Sequence, residues 1–277
     1  MKKSVLLWVA AFLITAGSAV YQRLTGPTYP IHGMVALAGK AIPYSLKRSE
    51  EQRNAQVMIA TGDPAVTGVL EWKRFKTSDP WSPTPMEYRD SMLVSELPMQ
   101  PPAGKLEYRV RLTLGDASRV IPESGSTVLR FKGNVPVWVL IPHVLVMFLG
   151  MLFSTRAGLG IFQKEPNLKP LTFWTLGLLS VGGLILGPVM QKFAFDAYWT
   201  GWPFGTDLTD NKTAVAVLAW VLAAVALSRS KKPAWWAFGA AIVVLVVFLI
   251  PHSLLGSELD YSKADRPATG QTAPAAP

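Results

Sequence analysis

Residues 138–154 read WVLIPHVLVMFLGMLFS, a run without a charged side chain. A membrane-spanning helix needs about 17–25 predominantly apolar residues, and this stretch supplies them. Three more such segments follow: Leu171–Met190, Thr213–Leu227 and Trp235–Ile250. The last two are short when taken strictly, and flanking residues extend each. Upstream, Val5–Val20 is apolar or small throughout and follows Lys2 and Lys3. It reads as an uncleaved N-terminal anchor. A signal peptide cut near Gly17-Ser18-Ala19 is the alternative, and both readings export what comes next.

Between these apolar regions, 22–133 has ordinary polarity. The chain of 277 residues is only 16% charged overall, so the shortfall is concentrated in the apolar segments and two regions face different solvents. The polar region predicts strands at Gly33–Leu37, Ala41–Leu46, Gln56–Thr61, Gly68–Phe75, Ser91–Glu96, Leu106–Leu114 and Thr127–Phe131. Leu106-Glu107-Tyr108-Arg109-Val110-Arg111-Leu112 alternates apolar and polar, as a half-buried strand does. Gly62-Asp63-Pro64, Ser78-Asp79-Pro80 and Pro101-Pro102-Ala103-Gly104 punctuate the strands as turns. About seven short strands at this spacing predict an immunoglobulin-like β-sandwich.

The expected fold class is therefore a membrane α-helical bundle plus an all-β domain. Five transmembrane helices are expected, with an extracytoplasmic immunoglobulin-like β-sandwich between the first and second. The expected divisions are an anchor at 1–22, a sandwich at 23–134, four helices at 135–255 and a tail at 256–277. The tail is expected to be disordered from about 262, where Ala, Pro, Thr and Gly dominate.

Charge fixes an expected orientation. Lys2, Lys3, Arg156, Lys164, Lys169, Arg229, Lys231 and Lys232 fall in the N-terminus and the loops after the second and fourth helices, against one acid, Glu165. Eight basic residues less one acid supply seven of the nine net positive charges. That is the positive-inside pattern, and it places the sandwich and the C-terminal tail outside. No basic face interleaved with aromatics is present, which argues against nucleic acid as a partner. The absence of cysteine excludes disulfides, thiolate nucleophiles and Cys-ligated zinc or iron–sulfur centres. The expected partners are the lipid bilayer and a membrane protein.

Candidate site residues gather at the outer face in this topology. His143 opens the second helix in Ile141-Pro142-His143, and His252 closes the fifth in Ile250-Pro251-His252. Two imidazoles at one depth can ligate a metal ion or haem iron; interfacial hydrogen bonding is the plainer alternative. The outer loop 193–212 carries Trp199, Trp202, Asp207, Asp210 and Asn211. Its oxygens can serve a cation or cap the following helix through Thr209, Asp210 or Asn211. Capping explains Asp210 well, and Asp207 and the Trp-Thr-Gly-Trp-Pro-Phe-Gly run poorly. Glu258 emerges on the same face. Gly183 and Gly187 permit close helix approach, inside the bundle or between copies. No nucleophile elbow, phosphate loop or His-Glu-x-x-His pattern is present, so no catalytic residue is assigned.

The segments Thr25-Gly26-Pro27-Thr28-Tyr29-Pro30, Ile141-Pro142-His143, Phe153-Ser154-Thr155-Arg156, Phe204–Lys212 and Ile250-Pro251-His252-Ser253 resemble a family of uncharacterised bacterial membrane proteins. The resemblance implies a bacterial inner-membrane location. The outer loop is also similar to the tryptophan-rich loop of haem-handling cytochrome c assembly proteins, without that motif's double-tryptophan core. The function these features predict is a non-enzymatic accessory, assembly or scaffold component of a membrane complex. A metal- or haem-binding membrane protein is the first alternative. A transporter or membrane enzyme for a periplasmic or lipid-linked substrate is the second.

Overall fold

The computed structural model describes residues 2–251, 256 and 258–264. The chain forms two compact units. One comprises Met1–Tyr29 and Gly133–Ser257, and the other Pro30–Lys132 and Glu258–Pro277.

The second unit is a β-sandwich-like domain. Its strands are β1 (Ile31–Leu37), β2 (Lys40–Leu46), β3 (Ser49–Glu50), β4 (Ala55–Ala60), β5 (Thr67–Arg74), β6 (Ser82–Pro85), β7 (Glu87–Arg89), β8 (Met92–Leu97), β9 (Lys105–Leu114), β10 (Ala117–Ile121) and β11 (Thr127–Phe131). All seven predicted strands are present, within a residue or two at their ends. Strand β9 organises the larger sheet. One edge pairs antiparallel with β5, and the other pairs with β11 near its start and β10 near its end. A second sheet runs β4-β8-β7, and β1 and β2 form a hairpin. That hairpin turns on Ala38 and Gly39, both at positive φ, the geometry a two-residue turn needs to match strand twist.

Alternation decides which side chains enter the core. Leu106, Tyr108, Val110 and Leu112 of β9 are buried with Val57 and Ile59 of β4, Leu70 of β5 and Leu93 and Leu97 of β8. Burying each such side chain contributes roughly 1.5–3 kcal/mol, so apolar packing holds a domain that has no disulfide. Tyr108 satisfies its buried hydroxyl by donating to the Lys47 carbonyl at 2.8 Å. The opposite face of β9 is charged: Arg109 and Arg111 both bond Glu71 of β5, and Arg109 lies over the Trp81 ring.

The first unit is helical. It comprises α1 (Lys2–Thr25), α2 (Val137–Gly158), α3 (Leu168–Leu179), α4 (Gly187–Phe195), α5 (Leu208–Arg229) and α6 (Pro233–Leu249). A 3-10 turn at Leu159–Phe162 extends α2, and a π-helical stretch at Ser180–Leu186 joins α3 to α4. Four of these helical segments are long and apolar enough to cross a membrane: Lys3–Thr25, Val137–Phe162, Leu168–Phe195 and Leu208–Arg229. They fit a membrane location. The fifth predicted span, α6, has 17 residues. At 1.5 Å per residue it is about 25 Å long, short of a hydrocarbon core of about 30 Å.

Small residues let these helices approach. Ala216, Ala223, Ala237, Ala240 and Ala241 are buried between α5, α6 and their neighbours. A Cβ on Gly182 would stand 2.7 Å from the Met147 sulfur, and one on Gly183 would stand 2.5 Å from Thr213 Cγ2. The Gly-rich stretch thus packs inside the unit. Trp220, fully buried, donates its Nε1–H to Ser154 Oγ at 3.1 Å.

Residues 258–264, including the short helix α7 (Tyr261–Ala264), return to the β-unit. The rest of the tail expected to be disordered lies outside the described residues.

Candidate functional site

The loop between α4 and α5, residues 196–207, is the most elaborately built segment of the helical unit. Asp207 is the N-cap of α5, with Oδ1 accepting from the Thr209 amide at 2.7 Å. Sequence analysis assigned capping to Thr209, Asp210 or Asn211, and the structure moves it to Asp207. Asp210 and Asn211, in the first turn of α5, reach back to the loop instead. Asp210 Oδ2 accepts from the amides of Thr200 (2.7 Å) and Gly201 (2.9 Å), and Asn211 Oδ1 accepts from the Trp202 amide at 2.7 Å. Three consecutive backbone amides are therefore held by two neighbouring side chains.

Further bonds close the loop on itself. Gly201 O accepts from the amides of Phe204 and Gly205, and Thr200 O accepts from the Asp207 amide, each at 2.9 Å. Trp199 Nε1 donates to the Trp202 carbonyl at 3.1 Å. Gln191 of α4 donates to Thr200 Oγ1 at 2.6 Å, and that hydroxyl reaches Asp207 Oδ2 at 3.2 Å. Only glycine fits position 201: an added Cβ would stand 2.6 Å from Asp210 Cβ and 2.7 Å from Asn211 Oδ1.

What this frame presents is aromatic. Trp202 is 78% exposed and Phe204 83%. Hydrogen bonds to a charged acceptor contribute roughly 1.5–3 kcal/mol each, so the frame fixes the backbone that carries these two rings. Lys212, buried one turn into α5, donates to the Ile250 carbonyl at 2.7 Å. Gln22 of α1 donates to the Phe248 carbonyl at 2.7 Å. Together these bonds tie α1 and α5 to the end of α6.

No family model, curated protein or solved structure matches this chain.

The structure brings Trp199, Trp202, Asp207, Asp210 and Asn211 together in the loop. His143 lies on α2, where Nδ1 donates to the Gly182 carbonyl at 3.0 Å. That carbonyl belongs to the π-helical stretch, which shifts the ordinary α-helical bonding pattern. His143 lines a cavity of about 310 Å³ with Ser18, Gln22, Met147, Met151 and Met190. His252, the other expected ligand, lies outside the described residues. Among the described residues no three His, Asp or Glu side chains gather as a ligand set.

Glu258 belongs to the β-unit. Its carboxylate bridges Lys105 at 2.6 Å and Lys76 at 2.7 Å, beside a cavity of about 660 Å³ lined also by Arg74, Asp79 and Tyr261. Burial pushes the Glu258 carboxyl up, but the two lysines outweigh it and hold it below the ordinary range. Lys105, the more enclosed partner, is pushed down by burial despite the Glu258 carboxylate. Sequence reasoning missed Gln191 and Thr200 as loop supports and Tyr261 as a wall of the cavity beside Glu258. Spacing carries no signal for contacts made between distant segments.

Proposed function

We propose that this chain is a non-enzymatic integral membrane protein, an accessory or assembly component that docks a membrane-protein partner through the Trp202–Phe204 loop. The observation that carries this reading is the contrast between the loop's backbone and its side chains. Asp207, Asp210 and Asn211 are spent on fixing the chain, while the two largest side chains of the tip face outward. Aromatics that only mark a headgroup layer need no such frame; Trp138, Trp174, Trp235 and Trp236 simply lie exposed on helices. Tryptophan is enriched among residues that dominate binding energy, and a preorganised loop lowers the ordering cost of association.

The positive-inside pattern supports a cytoplasmic N-terminus. In that orientation the loop faces outward and the β-unit, read as an immunoglobulin-like sandwich, is extracytoplasmic. The resemblance to bacterial membrane proteins supports the inner membrane as the location. Purification in mild detergent tests the proposal. Wild-type protein is expected in a stoichiometric complex that the W202A/F204A double variant loses while remaining folded. A wild-type protein recovered alone, as a monomer, contradicts it.

A second reading, a bound metal ion, is supported by the His143 cavity. One imidazole and the thioethers of Met147, Met151 and Met190 suit a soft ion, and His143 Nδ1 is already oriented by a backbone carbonyl, as metal-ligating histidines usually are. Metal analysis and an absorption spectrum of purified wild type and His143→Ala test it. Metal-free wild-type protein rules the reading out.

A further inference from the structure

Arg156 sits in the last turn of α2 and is 4% exposed. Its Nη2 donates to Ser4 Oγ and to Gln163 Oε1, both at 3.2 Å. These acceptors are neutral. Among the described residues Nε and Nη1 are buried without a hydrogen bond, and the guanidinium lies 5.5 Å from the centre of the Trp8 ring. Among the described residues no carboxylate pairs with it.

A buried cation with two unmet donors is costly. Taking an unpaired ion out of water is unfavourable, and each unmet donor adds its own desolvation penalty. Arginine is also permanently charged, so it cannot escape by losing its proton. Residues of this kind in apolar helices are normally paired. The surroundings favour an anion from outside the chain. Lys3 and Lys164 directly adjoin Ser4 and Gln163, the two residues that hold Nη2, and both lysines are exposed. Glu165, the acid nearest in sequence, is exposed and makes no ion pair among the described residues.

We infer that Arg156, with Ser4, Gln163, Lys3 and Lys164, forms a binding site for a phosphate group at the basic end of the helical unit. Phosphate matches the guanidinium fork, which can donate two parallel bonds to it. The phosphate oxygen replaces the neutral Gln163 oxygen on the guanidinium, and the flanking lysines neutralise the remaining charge. This end of the helices is where the positive-inside pattern places anionic headgroups, so phosphatidylglycerol is the first probe and inorganic phosphate the second.

Thermal unfolding of the full chain in lipid-free detergent, with and without each probe, tests the inference. Wild type is expected to gain stability from phosphatidylglycerol and not from phosphatidylcholine. Arg156→Gln removes the buried charge while keeping a polar side chain. It is expected to match or exceed wild type without lipid and to lose the phosphatidylglycerol increment. A residue needed only for packing would show the reverse: lower stability without lipid and an unchanged increment, which would overturn the inference. Should Arg156→Gln fail to fold, the Lys3→Gln/Lys164→Gln double variant serves. It is expected to weaken phosphatidylglycerol binding by about tenfold or more, since both flanking positive charges are gone. Unchanged binding counts against the site. An equal gain from inorganic phosphate, abolished in Arg156→Gln, supports the phosphate site and assigns its source to free phosphate. No response of wild type to any probe overturns it.

Discussion

The phenol oxygen of Tyr261 lies 3.0 Å from both the amide nitrogen and the carbonyl oxygen of Lys105, 156 positions earlier in the chain. Tyr261 is buried, and the Arg74 guanidinium stands 5.1 Å from its ring centre. The bond from Leu259 N to Ala103 O, 3.1 Å, continues the attachment. The segment after the helical unit is thus a structural part of the β-unit. Tyr261→Phe removes both bonds to Lys105 and leaves a partly buried amide unmet, at a cost of about 1–2 kcal/mol. Hydrogen exchange is expected to show faster exchange at Lys105 and unchanged protection on β4 and β8.

Glu258 makes that attachment sensitive to acid. Burial raises its carboxyl, but hydrogen bonds from Lys105 and Lys76 more than offset this, so its folded value lies below the unfolded one. A depressed carboxyl contributes stability that is fully present above the unfolded value of about 4.3 and is lost as pH falls through the folded value. Protection of 258–262 from exchange is expected to hold from neutral pH down to about 4.5 and to fall below that. Glu258→Gln is expected to show weaker protection at neutral pH and a flatter profile. An identical acid profile in the variant contradicts the assignment.

The loop frame predicts an order of effects. Asp210→Ala leaves the amides of Thr200 and Gly201 without their acceptor, a loss of about 2–3 kcal/mol for buried bonds to a charged group. Asp207→Ala loses an N-cap, worth about 1 kcal/mol. Chymotrypsin cleavage after Phe204 in the full chain is expected to rise most in Asp210→Ala and less in Asp207→Ala. Equal resistance in all three proteins would show that the frame does not hold the loop.

Two glycines of the same helical segment should behave oppositely. Gly183 faces Thr213 with no room for a methyl group, whereas Gly177 has nothing among the described residues within 4 Å of an added Cβ. Gly183→Ala is expected to destabilise the helical unit by about 1–3 kcal/mol through overpacking. Gly177→Ala is expected to be neutral or to stabilise it by up to about 1 kcal/mol, the helix preference of alanine over glycine. Thermal unfolding of each variant in one detergent checks the pair.

Much of the architecture was legible because it rests on periodicity. The alternation of 106–112 marked β9, and uncharged runs marked the helices. The strands that sequence analysis passed over lack that signal: β3 has two residues, Ser82-Pro83-Thr84-Pro85 alternates prolines on an edge, and β7 is charged. Strand β10 buries only Ile121 fully. The loop was recognisable as unusual, but its bonding was not. Asp207 and Asp210 are three residues apart and chemically identical, and backbone position alone decides that one caps α5 while the other clamps Gly201. Arg156 was counted as a loop charge because it follows an apolar run; the helix continues past it and buries it. Tyr261 was hidden because a docking contact across 156 positions leaves no local pattern.

The most direct measurement of the central claim is site-specific photo-crosslinking in intact cells, with the reactive side chain placed at Phe204 and, as a control, at the exposed helix position Trp174. The account predicts a discrete protein adduct from position 204, lost when Asp210 is replaced by Ala, and lipid adducts from position 174. Lipid adducts alone at both positions would contradict docking through the loop and would leave Trp202 and Phe204 as membrane anchors.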